Sequence, residues 1–197
     1  MSTKRSQTEF GQTYFCTFTC LHWLPLFQLT NAYDCVYKFF SILSEKGHQV
    51  EGFVIMPNHL HLLLYIGNEE STVNAVLANG KRFLAYEIIK RLNDMRNTAM
   101  LKQLAEAVTA EEKGRKKKHR VFEVSSDIKP CYYKSYLLQK LTYIHNNPLH
   151  GKWNLAATPE TYLHSSAGFY ESSLPHPFVK LTHYKEVTFS STPHRPL

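Results

Sequence analysis

The stretch QVEGFVIMPNHLHLLLYI, residues 49–66, restricts the fold more than any other part of the chain. Two eight-residue runs flank Pro57-Asn58, a pair suited to a tight turn. Side chains alternate across a strand, so Leu60, Leu62, Leu64 and Ile66 form one apolar face of the second run. His59, His61, Leu63 and Tyr65 form the other. The pattern predicts a β-hairpin with one face committed to a core. A strand built only for packing would carry Val or Ile at 59 and 61, so the histidines mark the second face for other work. Same-face neighbours lie about 7 Å apart along a strand, and two imidazoles at that spacing can lean onto one metal ion. They make an incomplete site, and a third ligand has to come from elsewhere.

The remaining elements follow from the same two periodicities. In TYFCTFTC, Tyr14, Cys16, Phe18 and Cys20 share one face; Thr13, Phe15, Thr17 and Thr19 share the other, which predicts another strand. Ala32, Val36, Phe39, Phe40 and Leu43 recur at helical spacing, with Thr30 or Asn31 to cap the start and Gly47 the end. Ser71 or Thr72 opens a long helical region to about Leu92, weakened locally by Gly80, and MLKQLAEAVTAEEK predicts a second helix to about Lys113. HRVFEV predicts a fourth strand, and SYLLQKLTYIHN a last helix ended by Pro148. Strand, helix, strand, strand, helix, strand, helix suits an α+β fold. The expected form is a ferredoxin-like split βαβ antiparallel sheet with helices on one face, a further helix added at its C-terminal end, and the second face left free for function. We expect one domain over 1–155 with an insertion at about 94–118. An irregular tail rich in Ser, His and Pro, partly docked and partly mobile, is expected over 156–197.

Composition narrows the partners. Twenty-three Lys and Arg against sixteen Asp and Glu give a net charge of +7, which favours a polyanionic partner, nucleic acid first. KGRKKKHR places Lys113, Arg115, Lys116, Lys117, Lys118 and Arg120 in eight residues, a candidate phosphate clamp that Lys81, Arg82, Lys90 and Arg91 can extend. Phe15 and Tyr65 are candidates for stacking unpaired bases. The cysteines at 16, 20, 35 and 131 form no C-x-x-C pair, which argues against a zinc ribbon and for buried thiols in a reducing compartment. No apolar run approaches the roughly 20 residues needed to span a bilayer, and MSTKRSQTEFG has no signal-peptide core. The expectation is a soluble cytoplasmic protein with no membrane partner.

The last helix offers the missing half of a site. Tyr143 and Asn147 are four apart and share a face, which Tyr136 and Lys140 extend backwards. Leu137, Leu141 and Ile144 form a separate apolar stripe that can pack on the sheet. His145 points well away from Tyr143 and is not counted as a ligand. Asn147 precedes Pro148, which biases it away from helical geometry.

FVIMPNHLHLLL followed about eighty residues later by YIHNNP resembles the HUH single-tyrosine transposases of insertion sequences, and most of all their REP-associated branch. His59-Leu60-His61 is similar to the histidine–hydrophobic–histidine signature of that family, and Tyr143 to Pro148 to its tyrosine-helix motif. TYLHSSAGFY also looks like a segment that follows that helix, so the resemblance spans about residues 10–170. It implies that 1–155 is a transposase catalytic domain in which His59 and His61 hold Mg2+ or Mn2+. Tyr143 is then the nucleophile and Asn147 the third ligand, at a position where related enzymes often carry the longer Gln. It further implies cleavage and rejoining of single-stranded, hairpin-bearing DNA through a 5′-phosphotyrosine link. Two other readings stay open from the residues: a catalytically silent DNA-binding descendant, and a metal-dependent phosphodiesterase that uses water. Monomer and homodimer are both open, and the target sequence is not legible.

Overall fold

The structure, a computed structural model, describes residues 10–124, 126–151 and 153–187. The polar start and the final STPHRPL lie outside the described residues. Four strands form one antiparallel sheet: β1 (Gln12–Thr19), β2 (Gln49–Met56), β3 (His59–Ile66) and β4 (Asp127–Pro130), in the order β2-β3-β1-β4. β3 pairs antiparallel with both β1 and β2. β1 and β2 therefore run the same way with β3 between them, the split βαβ arrangement expected from the sequence.

The helices are α1 (Leu26–Leu29), α2 (Tyr33–Glu45), α3 (Val73–Asp94), α4 (Thr98–Glu106), α5 (Ala110–Gly114), α6 (Lys134–Asn146) and α7 (Ala167–Ser172). The main core lies between the sheet and α2 and α3. Tyr14, Cys16 and Phe18 of β1 and Leu60, Leu62, Leu64 and Ile66 of β3 meet Val36, Phe40, Leu84 and Ile88 there. Gly80 lets Phe39 lie against α3, because a Cβ at that position would collide with the ring. A second, smaller core forms on the opposite face, where Leu137, Leu141 and Ile144 of α6 pack on Phe15, Val54, Met56 and Leu63. Gly52 permits this approach, since a Cβ there would stand 2.7 Å from Leu141 Cδ1. The face expected to be free is thus partly roofed by the tyrosine-bearing helix.

Four local expectations are corrected. The fourth strand is not HRVFEV: that segment meets the end of β1 at an isolated bridge between Phe122 and Cys20, and the regular paired segment is Asp127–Pro130. Around that bridge the Glu123 N–H donates to the Thr19 carbonyl and the Leu21 N–H to the Val121 carbonyl, while the Glu123 carboxylate accepts from the His22 N–H at 2.9 Å. Pro130 is tolerated because β4 is an edge strand. The expected helix after residue 100 is two helices, with Thr109 forming a capping box with Glu112 to start α5. Neither Thr30 nor Asn31 caps α2. The N-cap is Ala32, the Thr30 hydroxyl donates to the Leu26 carbonyl, and Asn31 has a φ of 48°. Asn147, despite preceding Pro148, keeps helical angles and leads into a tight 3-10 turn.

The described part of the tail seals the exposed edge of β2. His164 and Ser166 exchange backbone hydrogen bonds with Ile55 and Phe53. The Tyr162 and Tyr170 hydroxyls donate to the Ile55 and Glu51 carbonyls, at 2.8 and 2.7 Å. A bare edge strand invites pairing with other chains, and these bonds occupy it. No helix among the described residues is long and apolar enough to cross a membrane.

Candidate active site

Strand periodicity puts His59 and His61 on the α6 side of β3, opposite Thr19 and Thr17 of β1. Both are buried, at 8% and 6% exposure, and their rings stand 4.6 Å apart. α6 crosses above them, and the Tyr143 hydroxyl lies 3.4 Å from His61 Nε2. The Asn147 amide borders His59, one helical turn on. Two histidines and a tyrosine separated by 82 residues in the chain thus meet at one point.

Neighbours set which nitrogen of each ring faces the site. Asn58 Oδ1 accepts from His59 Nδ1 at 2.7 Å, while Asn58 Nδ2 donates to the Trp23 carbonyl. The Thr17 hydroxyl lies 2.9 Å from His61 Nδ1. His59, whose Nδ1 donates to Asn58, keeps the lone pair of Nε2 for the site, and His61, with Nδ1 held at Thr17, turns its Nε2 to the Tyr143 hydroxyl. Burial also holds the rings neutral. It lowers His59 to about 4 against a small opposing effect of Asn147, and His61 to about 3 with help from the His59 and Lys140 charges.

This donor set fits a divalent cation: two neutral imidazoles oriented from behind and an amide side chain beside them. It contains no carboxylate, and among the described residues no three of His, Cys, Asp and Glu gather into a metal-sized cluster. The amide oxygen that stands beside the pair is that of Asn147.

The surroundings of the site add to and correct the sequence reading. Lys140 lies near the Phe15, Tyr136 and Tyr143 rings, at 4.8, 5.3 and 5.6 Å from their centres, which brings a cation beside the phenol. Phe15 is buried at 2% exposure and stacks on His61, so it is core and not a platform for bases. Tyr65 is half-buried at the far end of β3. The exposed ring beside the histidines is instead Trp23, edge-on to His59 at 5.5 Å. Its only signal in the sequence was an aromatic in the loop after β1.

His145 faces the other way, 2.9 Å from the Ser166 hydroxyl that also accepts from the Phe53 N–H. Burial lowers His145 to about 4. It ties the tyrosine helix to the tail and to β2.

The basic residues divide into two kinds. Arg115 and Lys117 pair with Glu111 and Glu112, both at 2.7 Å, and Arg120 lies 3.6 Å from Glu123. Lys81 is partly buried, lowered to about 8 chiefly by desolvation, and donates to the Glu123 carbonyl. Arg91 clasps Asp34 and the carbonyls of Thr30 and Asn31. Lys113, Lys116, Lys118, Arg82 and Lys90 remain exposed, Arg82 with a bond to Asn79. The cluster is therefore less charged in effect than its composition. Through Glu123, however, it reaches the His22–Trp23 turn next to the histidines.

No protein-family model matches this chain, and neither does any curated protein. Among solved structures, a REP-associated tyrosine transposase bound to a REP hairpin matches with a TM-score of 0.56 and 13% identity, over 100% of this chain and 99% of that one. A candidate transposase from Deinococcus radiodurans R1 matches with a TM-score of 0.43 and 13% identity, over 74% of this chain and 97% of that one. In fold the chain is tyrosine-transposase-like.

Proposed function

We propose that this protein cleaves and rejoins single-stranded, hairpin-bearing DNA, with Tyr143 as nucleophile. The observation that carries the reading is the approach of the Tyr143 hydroxyl to His61 Nε2 at 3.4 Å, with His59 and Asn147 alongside. The transposase-like fold and the net charge of +7 support the DNA substrate.

A free phenol titrates near 10 and is a weak nucleophile at neutral pH, so position and charge have to do most of the work. Tyr143 sits on a helix packed rigidly on the sheet by Leu137, Leu141 and Ile144, which holds its oxygen in place for in-line attack on phosphorus. The phenol oxygen forms a bond to phosphorus as the bond to the 3′ oxygen breaks, the phenol proton passes to solvent, and the departing 3′ oxygen takes up a proton from solvent. The products are a 5′-phosphotyrosine and a free 3′-OH. Attack by a 3′-OH on that link reverses the step, and no nucleotide cofactor is consumed. Lys140 offers positive charge beside the phenol as negative charge builds on the phosphate oxygens. His59, His61 and Asn147 would hold Mg2+ or Mn2+, which supplies Lewis-acid stabilisation of a phosphate oxygen when bound.

The test is adduct formation with a hairpin oligonucleotide and Mn2+. The wild type should give a protein–DNA species stable on a denaturing gel. Tyr143→Phe should give none while still shifting the same DNA on a native gel. An adduct formed by Tyr143→Phe would overturn the assignment.

A further inference from the structure

We infer that Trp23 is a stacking platform for an unpaired base next to the scissile phosphate. The inference rests on the DNA-cleavage reading of the site and names a contact that the site would make with its substrate.

The loop after β1 spends two successive non-glycine residues in the left-handed region, His22 at φ 50° and Trp23 at φ 59°. For a residue as bulky as tryptophan this is an outlier, and such outliers collect at ligand clamps and catalytic sites. The surroundings hold the turn in that shape. The Trp23 N–H donates to the Cys20 carbonyl at 3.0 Å, and Leu24 N–H to Leu21. The His22 N–H donates to the Glu123 carboxylate, and the Trp23 carbonyl accepts from Asn58 Nδ2 at 3.2 Å. The result leaves the indole 56% exposed.

Single exposed apolar side chains are ordinary on protein surfaces. This one differs by its place. Asn58 bonds both the Trp23 carbonyl and His59 Nδ1, so one amide sets the indole and the imidazole together. On the other side, Arg120 pairs with the same Glu123 that anchors the turn, and Lys81 donates to its carbonyl. A strand whose phosphate reaches the histidines has the exposed indole beside it. Tyr132 and Tyr133 are also exposed, but the ring that stands edge-on to His59, at 5.5 Å, is that of Trp23. Every base has an apolar face, so the contact needs no particular sequence.

The chain has two tryptophans, so Trp153→Phe leaves Trp23 as the sole indole reporter. The probe is a hairpin oligonucleotide with a short oligothymidine tail. Stacking predicts that its binding quenches the Trp23 emission, while a blunt hairpin quenches far less. As a second measurement in the otherwise native chain, Trp23→Ala should weaken binding of the tailed hairpin on the order of tenfold, and Trp23→Phe should recover most of the loss. One abasic position in the tail should weaken wild-type binding by a similar factor and leave Trp23→Ala unaffected. Tailed DNA that binds without quenching, or an abasic penalty undiminished in Trp23→Ala, would overturn the stacking role alone. Failure of the wild type to bind either DNA would overturn the DNA reading and this inference with it.

Discussion

Glu51 offers a test of the core that the catalytic reading does not touch. Its side chain is fully buried in the irregular pairing of β2 with β3, between Val50 and Gly52. Neither carboxylate oxygen has a hydrogen-bond partner of good geometry, Thr13 being the side chain that comes nearest to one. Desolvation raises the carboxyl from 4.5 to about 7, and the Thr13 side chain beside it offsets only part of that. Below pH 4.5 the group is protonated whether the chain is folded or not, and it contributes nothing to pH dependence. As pH rises, the unfolded chain releases its proton first while the folded protein keeps it. Stability therefore falls with rising pH and levels off above about pH 7. The gap between the two values, at about 1.4 kcal/mol per pH unit, makes the loss about 3 kcal/mol. Glu51→Gln removes the ionisation and keeps the shape. Urea unfolding of both proteins, run from pH 5 to pH 8.5, should give a difference that is small at the acid end. At the alkaline end it should favour the variant by about 3 kcal/mol. Other titrating groups, including the buried His48, act on both proteins and cancel. Parallel stability curves across this range would refute the claim that a carboxylate is being ionised in an apolar site.

The other predictions concern the tail and the basic loop. Ser166→Ala should lower unfolding stability by about 1–3 kcal/mol, because it strips the buried Phe53 N–H and His145 of their partner. A loss well under that range in chemical denaturation would mean that the tail is not fastened to β2 and α6 in the way described. Replacing Lys116, Lys117 and Lys118 together with Ala should weaken hairpin binding. It should also flatten the plot of log affinity against log salt by about two, since Lys117 is already paired with Glu112. An unchanged slope would assign the loop to solubility.

Where side-chain alternation or helical spacing decides an element, sequence and structure agree closely. The hairpin 49–66 forms with its turn at Pro57-Asn58, and the leucines of β3 enter the main core. α6 packs through the stripe of Leu137, Leu141 and Ile144, which leaves Tyr143 half-exposed above the histidines. The disagreements arise where a distant partner outweighs local preference. HRVFEV has the pattern of a strand, but it meets the chain at the end of β1 through the Cys20–Phe122 bridge and the Glu123 N–H to the Thr19 carbonyl, and the regular ladder is made by Asp127–Pro130. Phe15 alternates onto the site face as expected, yet α6 covers it.

The amino-acid order by itself determined which residues share a face: both histidines on one side of β3, and Tyr143 with Asn147 on one side of α6. That is settled by backbone geometry repeating every two or nearly four residues, which needs no knowledge of the rest of the chain. Only the folded molecule decided that the two faces meet, that His61 Nε2 lies beside the Tyr143 hydroxyl with Asn58 and Thr17 behind the two rings, and that Trp23 stands exposed beside them. Those outcomes depend on hydrogen bonds and packing between segments far apart in the chain. Such contacts form only after the strands and helices have docked, and no repeat in the sequence encodes them.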